Sequence, residues 1–492
     1  MVLFRKSLKL STQMLQKSQA DGYLTVYLSL SMTVILSLIL ALLSGARIGA
    51  AKMKTELVAD IAMNSVLGEY NRELFDRYGL LLLDDSFGKK QGSVRNVEEH
   101  LSKYFRKNFE LSDKGITRRT SYMSAKLTDC AITGFSLASD NNGAVLKRQI
   151  LAYMESDAVG KIVSNVSKNV DDLKETGYDS SDFEEKADEN DSKISGTYTT
   201  DTDGDGESEE IDIDNPAQSV ASKKGLGILT LAAPDMSKIS SAAINEDLYA
   251  SHRTMSKGTG LDDDYSMGAS KAALFNEYIF EKMSCYGKEL EESPLKYELE
   301  YIYAGKESDY KNLEAVCKRL FLWREAANFA YIMTDSAKLA EAEALALTAA
   351  AVVAAPELCE VVKTAIILAW TFAESISDIH ILLTGGRVPI VKTAASWKLS
   401  LEAMLSFGDN LTDGGGTGLK YEDYLRMLVL MEKEDKKTMR LMDVMEMNIR
   451  KTKGNESFKI DNCIDVFRAE FKASCRGMES FEVERIYGYE ME

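Results

Sequence analysis

"GYLTVYLSLSMTVILSLILALLSGARIG", residues 22–49, decides how the amino-terminal part of this chain folds. From Tyr23 to Ala46 it holds 24 residues without a charge. As a helix this segment measures roughly 36 Å, at about 1.5 Å per residue. That length exceeds the hydrocarbon core of a bilayer, which is about 30 Å thick. We therefore predict a transmembrane helix over residues 23–46.

The ends of this segment carry the side chains that anchor a span. Tyr23 and Tyr27 stand at its start and Arg47 follows its end, positions where aromatic rings and cations meet lipid headgroups. Ile35 and Leu38 lie near its middle, where a charge would be most costly. We expect these five residues to form the membrane anchor.

Two other interpretations compete with an uncleaved anchor. Ser44 and Ala46 place small residues as a signal peptidase site does, so cleavage after Ala46 is one alternative. The run is longer than the 7–15 apolar residues typical of a signal peptide. The other alternative is a pilin-like stem, cut just before the apolar run. An anchor that stays in the membrane is the favoured interpretation.

Charge gives the segment a direction. Residues 1–22 contain one acid, Asp21, and four cations, Arg5, Lys6, Lys9 and Lys17, so their net charge is +3. The whole chain has a formal charge of −18, which leaves −21 for the residues after position 22. A basic leader tends to stay in the cytoplasm. We predict a single-pass protein of the cell membrane, with its amino terminus cytoplasmic and most of the chain extracytoplasmic. The acidic exported part would repel nucleic acid.

The sequence after the apolar run continues without Pro and with apolar residues at helical spacing. We predict an amphipathic stem helix over residues 47–83, and the apolar stripe we expect on it is Leu57, Ile61, Val66, Tyr70, Leu74 and Tyr78. Such a helix has a first half suited to lipid and a second half suited to packing on a globular head. This is the plan of a pilin stem.

These residues also carry a resemblance. The basic leader, Gly22, the apolar span and "GARIGAAKMKTELVADIAMNSVLGEYN" at 45–71 resemble the amino terminus of TadE and TadG-type pseudopilins of tight-adherence (Flp) pilus systems. The chain more closely resembles a family of large exported proteins of unknown function in Gram-positive bacteria that share this amino terminus. "NRELFDRYGLLLLD" at 71–84 and "VPIVKTAASWKLSL" at 388–401 extend that likeness.

The resemblance implies a processing site and a class of partner. A pilin-like chain would be cut after Gly22 and begin at Tyr23. The fifth mature position, usually Glu in prepilins, is Tyr27. The implied partners are the lipid bilayer and other pilus-assembly or cell-surface proteins. The family brings no established chemistry.

Two ends of the chain have strand-like patterns. Residues 84–154 form the first part of the head, in which "SYMSAKLTDCAITGFSLAS" at 121–139 suggests strands. Residues 451–492 suggest further strands, with approximate alternation of Phe458, Ile460, Ile464 and Val466. We predict a small antiparallel sheet that joins the two ends.

Residues 155–214 contain 20 acidic and 5 basic residues and read as a solvated, partly disordered segment. Within them, "DTDGDGESEEID" at 201–212 has the spacing of a calcium loop, with Gly206 at the sharp turn. Its candidate ligands are Asp201, Asp203, Asp205, Glu207, Glu209 and Asp212. Asp212 replaces the usual longer Glu, and Ser208 replaces an aliphatic residue. An acidic linker and a calcium site both stay open.

Residues 215–450 read as a helical bundle. The apolar sequence around Ala355 and Pro356 could be mistaken for further spans, but its charge-free pieces are short. Two buried helices joined at these residues fit better. A methionine-containing stripe further on is expected in the core; it comprises Leu425, Leu428, Met439, Met442, Met445 and Ile449. The predicted fold class is α+β, predominantly α.

No catalytic motif stands out. The chain has 3 histidines, none in a metalloprotease motif, and no nucleophile elbow. Its 6 cysteines form no CxxC pair; mostly free thiols are expected, with disulfides left open. We predict a non-enzymatic protein without a cofactor other than the candidate calcium ion. Pilus assembly is the first functional hypothesis, and a calcium-dependent surface adhesin or ligand-binding module is the alternative.

Overall fold

The computed structural model describes residues 2–111, 125–156, 163–178, 197–200, 209–212, 216–245, 248–261, 268–290, 293–352, 358–407, 411–475 and 480–489. It describes the backbone alone for 2–22, 109–111, 125, 156, 163–167, 197–200, 209–212, 218, 221, 269, 270, 352 and 475. The chain is mostly helical and has a small antiparallel sheet. The predicted α+β class, predominantly α, is confirmed.

Helix α1 is continuous over Val2–Leu67, a length of 66 residues. The span therefore runs into the stem without a break, but the stem helix predicted over 47–83 ends at Leu67, so its predicted end was wrong. Gly68, a poor helix former, follows, and its N–H donates to the carbonyl of Asn64 at 3.0 Å. The chain then turns into a second helix.

Helix α2, Arg72–Tyr78, has its own start and stop signals. The side chain of Asn71 accepts the N–H of Leu74 and so caps the first turn. Gly79 ends the helix at φ 71°, a left-handed conformation that favours glycine. A Cβ there would lie 2.4 Å from the ring of Tyr153, so close packing requires glycine as well.

The face that α1 buries differs from the predicted stripe. Val66 of the predicted stripe is buried as expected, but Leu57 and Ile61 are exposed, and Val58 and Ala62 are buried in their place. Ala59 and Ala62 let the helix lie close to its neighbours, and Met63 and Leu67 fill the rest of the buried face. The spacing of large apolar residues predicted the stripe, whereas the buried face of α1 depends on where its neighbours approach the helix.

One four-stranded antiparallel sheet joins the two ends of the described chain. Strand β5, Cys463–Cys475, pairs with β2, Ala125–Leu137, and with β6, Ser480–Gly488. The two-residue β1, Leu83–Asp84, also pairs with β5. The predicted sheet between the two ends is confirmed.

The register of β5 differs from the predicted alternation. Phe467, Ala469, Phe471 and Ala473 are buried on one face. Val466 is only half-buried, and Ile460 lies in a 3-10 turn before the strand. The prediction was wrong because that turn shifts the point at which alternation begins.

A separate core joins the stem to this sheet. Helix α3, Val94–Leu111, contributes Val97, Leu101 and Phe105, and the sheet contributes Phe471, whose ring stacks on Phe105 with centroids 5.3 Å apart. Val58 and Val66 of α1 belong to the same core. The stem is thereby part of the folded protein rather than an appended tail.

The head is helical. Its helices are α4 Asp140–Ser156, α5 Val163–Thr176, α6 Gln218–Lys224, α7 Ile228–Ala232, α8 Ala269–Lys282, α9 Glu298–Ala304, α10 Asp309–Ile332, α11 Ser336–Val352, α12 Cys359–Leu383, α13 Leu401–Leu405, α14 Tyr421–Met431 and α15 Glu434–Arg450. The methionine-containing stripe that was expected in the core is divided between α14 and α15. Leu425, Met442 and Met445 are fully buried, whereas Met439 is half-buried.

Two helices in the described residues are long and apolar enough to span a membrane: one covers Tyr23–Leu67 and the other is α12. The apolar window of α12 is 100% buried within the head. Burial of this kind is what a core helix requires. The apolar sequence after Pro356 thus packs inside the bundle.

In the acidic segment, the described residues include a short hairpin. Strand β3, Thr197–Thr200, pairs with β4, Glu209–Asp212, and Tyr198 lies opposite Ile211. Thr, Tyr and Ile favour extended structure, which accounts for local order in a segment expected to be partly disordered.

Candidate membrane anchor and stem

Most of the predicted anchor residues lie on the exposed, apolar part of α1. Tyr23 is 78% exposed, and Tyr27, Ile35 and Leu38 are exposed as well. The apolar window of this helix has a mean hydropathy of 2.4 and no part of it is buried. Arg47 is half-buried at the end of the apolar run. A helix this apolar and this exposed suits lipid rather than water.

Four hydroxyl groups of this run are satisfied within the helix. The hydroxyls of Ser29, Ser31, Thr33 and Ser37 donate to backbone carbonyls three or four residues earlier, at 2.7–3.0 Å. Hydrocarbon offers no hydrogen-bond partner, so an unpaired hydroxyl there would be costly. The four hydroxyls therefore do not argue against a span.

The stem is fixed to the head by polar contacts as well as by its core. Arg485 of β6 donates from Nε to Oδ1 of Asp60 at 2.7 Å. Its Nη2 lies 3.8 Å from Glu56. The hydroxyl of Tyr489 donates to the carbonyl of Leu67 at 2.6 Å. The amino acids on the last turns of α1 are thus held along β6.

A carboxylate holds the turn that follows the stem. Glu69 lies 2.5 Å from Nδ1 of His100 and accepts the hydroxyl of Tyr104 at 2.5 Å. Phe87 stacks on the ring of His100 with centroids 3.9 Å apart. Sequence reasoning assigned His100 no role, and its contact with Glu69 depends on how α3 packs. The cluster joins α1, α3 and the loop after β1.

The processing prediction stays a prediction. The backbone is helical through Gly22 and Tyr23. A protease that cuts between them must act on a local opening of the helix or before α1 takes this form.

The predicted calcium ligands fall largely outside the described residues. Asp201, Asp203, Asp205 and Glu207 lie in the range 201–208, about which the structure says nothing. Glu209 and Asp212 lie on β4, where Asp212 pairs with Thr197. Among the described residues, no group of three or more His, Cys, Asp or Glu side chains could hold a metal ion. The calcium site stays a prediction, which a calorimetric titration and the Asp203→Ala variant would test.

The head contains a buried charge cluster that sequence reasoning missed. Lys392 lies between Glu374 and Asp378, at 2.6 and 2.7 Å. Arg324 donates from Nε to Asp378 at 3.0 Å and from Nη1 to the carbonyl of Pro389 at 2.7 Å. We call these four charged residues the Lys392 cluster. The spacing of four between Glu374 and Asp378 within an apolar helix was the available signal.

Two opposing effects act on the pKa values of the carboxyls in the Lys392 cluster: burial raises them, and the neighbouring cations lower them. Burial raises the pKa of Glu374, against the effect of Lys392. Burial acts in the same direction on Asp378, but Arg324 and Lys392 outweigh it and lower the pKa of that carboxyl. The cluster fastens the loop that carries Pro389 and Lys392 onto α10 and α12, which is a structural role.

The cysteines whose side chains the structure describes are free thiols: Cys130, Cys285, Cys317, Cys359 and Cys463. Burial raises the pKa of Cys130 to about 12, so this thiol is a poor nucleophile. The expectation of free thiols holds for these five residues.

No curated protein and no solved structure matches this chain. A family model does match, over residues 206–475, and its description is a family of unknown function (DUF5702). The matched region covers the head from β4 to the end of β5, whereas α1, the stem contacts of α3, and β6 lie outside it. Because the match spans more than half of the 492 residues, the chain belongs to this family of unknown function (DUF5702).

Proposed function

We propose that this protein is a non-enzymatic, single-pass membrane protein with an extracytoplasmic head, and that it acts as a TadE/TadG-like pseudopilin or accessory subunit of a tight-adherence pilus assembly system. One observation carries the proposal: α1 is a single helix whose first part is apolar and exposed and whose last part packs on a sheet. This division matches the plan of a pilin stem.

In the proposed mechanism, each part of α1 has its own task. The span holds the subunit in the bilayer, and the last turns of α1 hold the head through Asp60 and Leu67. Because helix and sheet share a core, the head keeps a fixed position relative to the membrane anchor. Pilus-assembly proteins would then meet the head at a defined height above the bilayer.

Charge supports the proposed orientation by a small margin. The leader before the span holds four Lys or Arg residues, and the stem after it holds three within eight residues: Arg47, Lys52 and Lys54. The side richer in Lys and Arg stays in the cytoplasm. The acidic charge of the head agrees with this orientation but adds no support to it, because Asp and Glu contribute little to the rule.

The amino-terminal residue and the membrane partition of the full-length protein test the proposal, in a bacterium that carries the pilus machinery. A membrane-bound chain that begins at Tyr23 would identify pilin-type processing. A membrane-bound chain that begins at Met1 would identify an unprocessed accessory subunit. A soluble chain that begins at Arg47 would contradict the anchor.

The pilus role has a separate test. Deletion of the gene should reduce surface pili, and the wild-type protein should restore them. Normal pili in the deletion strain would contradict the pilus role and leave the membrane anchor untouched.

A further inference from the structure

Strand β6 and the last turns of α1 run side by side in the same direction. Arg485 meets Asp60, and Tyr489, four residues later in the strand, meets Leu67, seven residues later in the helix. Four strand residues advance about 13 Å, and seven helix residues advance about 10 Å. Because these lengths are similar, the strand is nearly parallel to the helix, and the start of β6 is the end nearer the span.

The pairing of the strands shows which residues lie at that end of the sheet. Ser480, the first residue of β6, pairs with Ser474 of β5, which pairs with Lys126 of β2. We call Lys126, Ser474 and Ser480 the sheet base. Ser480 precedes Arg485 by five residues, a strand length of about 16 Å. An equal length of helix, counted back from the partner of Arg485, is about eleven residues, so the sheet base lies beside α1 near Ala50.

Burial of α1 begins at the same level. Ala46 is exposed, Arg47 is half-buried and Ala51 is only 1% exposed. Thr55, about one turn further, is fully buried. The rest of the chain therefore covers α1 almost to the end of the predicted span, as the position of the sheet base requires.

The sheet base lies at the level of the lipid headgroups when α1 spans a bilayer. The headgroup region extends about 5–7 Å beyond the hydrocarbon core on each side. Ala50 follows Ala46 by four residues, which is about 6 Å along the helix. A lysine at this level can place its ammonium group among the headgroups, because its long stem lets the charge reach out from the protein surface.

The charges at this level are positive. The first three charged residues after the span are Arg47, Lys52 and Lys54, and the first acid, Glu56, follows them. Lys126 adds an exposed cation on the sheet base. Cations on the exported side oppose the rule that keeps Lys and Arg in the cytoplasm, so their position next to the span needs another explanation.

The sign of the charge changes a short distance above the sheet base. Lys472 of β5, two residues from Ser474, lies 2.9 Å from Glu470 and 2.9 Å from Glu482. Asp129 of β2 lies opposite Lys472 in the sheet. This part of the sheet has three acids around one cation, whereas the charged residue of the sheet base is a lysine. An anionic surface therefore attracts the base and repels the sheet above it.

We propose that the sheet base lies on the bilayer surface and that Lys126 and Lys52 bind the phosphate groups of anionic lipid headgroups. The proposal rests on the proposed anchoring of α1 in the membrane. The lipid surface is the partner because the span holds the sheet base beside that surface in every membrane-bound copy. The span and the sheet base are then two points of contact, which keep the head from tilting on its anchor.

Fluorescence quenching of the full-length protein in vesicles tests the contact. The Ser480→Cys variant carries a thiol-linked fluorophore, and the vesicles contain equal parts of phosphatidylglycerol and phosphatidylcholine, with a nitroxide on some headgroups. A nitroxide quenches only a fluorophore that it approaches closely, so the label at Ser480→Cys should be strongly quenched. Ser480 is exposed, so the substitution leaves the fold intact.

The matched control is Ser457→Cys at the other end of the head. Ser457 is also an exposed serine and lies two residues from Asn455. The side chain of Asn455 accepts a hydrogen bond from Asn71 at 3.1 Å, beyond the far end of α1. The label at Ser457→Cys should therefore be quenched no more than wild-type protein treated with the same dye.

A second comparison tests the lysines. The same nitroxide is placed near the top of the acyl chain of either phosphatidylglycerol or phosphatidylcholine. The phosphatidylglycerol probe should quench the label at Ser480→Cys more strongly, because cations gather anionic lipid around the sheet base. Adding Lys52→Gln and Lys126→Gln should largely remove this preference. Adding Lys453→Gln, which changes an exposed lysine near Asn455, should leave it unchanged.

The outcomes separate the contact from the anchor. A vesicle-bound Ser480→Cys protein whose label is quenched no more than that of Ser457→Cys would overturn the contact and leave the anchoring intact. Equal quenching by the two acyl-chain probes, or a preference that survives Lys52→Gln with Lys126→Gln, would overturn the role of the lysines. A wild-type chain found in the soluble fraction of cells would overturn both the anchoring and the contact.

Discussion

At the residue scale, the head is held by charges that have been removed from water. Lys392 is completely buried between two carboxylates, and Arg324 pairs with one of them. Two cations balance two anions in the Lys392 cluster, so no net charge is buried. Such a cluster is weak evidence for extra stability, but removal of one member leaves an uncompensated charge.

The Lys392→Met variant should therefore be strongly destabilised. Glu374 and Asp378 would share the interior without Lys392, and we expect the free energy of unfolding to fall by about 3–5 kcal/mol. Denaturant unfolding of the full-length protein in detergent measures the loss. The control is Lys363→Met, which removes a lysine 3.0 Å from the half-exposed carboxylate of Glu343. It should cost less than about 1 kcal/mol, and equal losses would contradict the argument.

A second residue-scale prediction concerns pH. Burial raises the pKa of Glu300 to about 7, although its Oε1 accepts the N–H of Tyr286 and the hydroxyl of Tyr421. Its Oε2 has no partner among the described residues. A carboxyl whose pKa is higher in the folded protein than in the unfolded chain stabilises the fold below the unfolded pKa. This stabilisation is lost as the pH rises through the folded pKa.

The free energy of unfolding should therefore decline between about pH 4.5 and pH 7 by an amount on the order of 3 kcal/mol from this group. Glu300→Gln keeps the acceptor for Tyr421 and cannot ionise, so it should remove that part of the decline. Denaturant unfolding at several pH values compares the two proteins. Parallel curves for wild type and variant would show that Glu300 is not the cause.

At the element scale, α1 is one helix with two environments. Its apolar run is exposed and its last turns lie in the core with α3 and β6. The change occurs after Ala46, where Arg47, Lys52 and Lys54 introduce charge. The charge-free run and its continuation into the stem could be predicted from sequence. The buried face could not, because it depends on where the sheet approaches.

Ile35→Arg should release the protein from the membrane fraction. A central arginine costs about 2.5–3.5 kcal/mol on insertion scales. Cell fractionation followed by detection of the full-length chain measures the effect. The matched control is Leu226→Arg, because Leu226 has nearly the same exposure, 58% against 57%, but lies in the head. Retention of the Ile35 variant would contradict the assigned span.

At the scale of the whole molecule, the distribution of charge along the chain predicts on which side of the membrane the head lies. The chain has a formal charge of −18 and its leader is basic. If the head is extracytoplasmic, a protease added to intact cells should digest it and spare a tag at the amino terminus. Lysed cells provide the control, because the protease should then remove the tag as well. Protection of the head in intact cells would reverse the proposed orientation.

The sequence predictions were accurate for features that depend on nearby residues and inaccurate for features that depend on residues distant in the chain. The span needed only composition and length, and the strands near both ends needed only local pattern. The register of β5 was predicted wrongly because a 3-10 turn at Ile460–Asn462 precedes the strand and shifts its alternation. The contact of Glu69 with His100 was equally out of reach, since these residues come together only when α3 packs beside the end of α1.

The sequence by itself determined that this chain has an apolar helix of membrane-spanning length, a basic leader, an acidic head and a predominantly helical fold. These properties depend on residues adjacent in the chain, or one helical turn apart. Only the tertiary structure decided which face of α1 packs on α3 and the sheet. It also decided that Lys392 meets two carboxylates and that Met53 and Leu57 stay uncovered. Each of these depends on which distant surfaces fit together, and periodicity carries no information about shape.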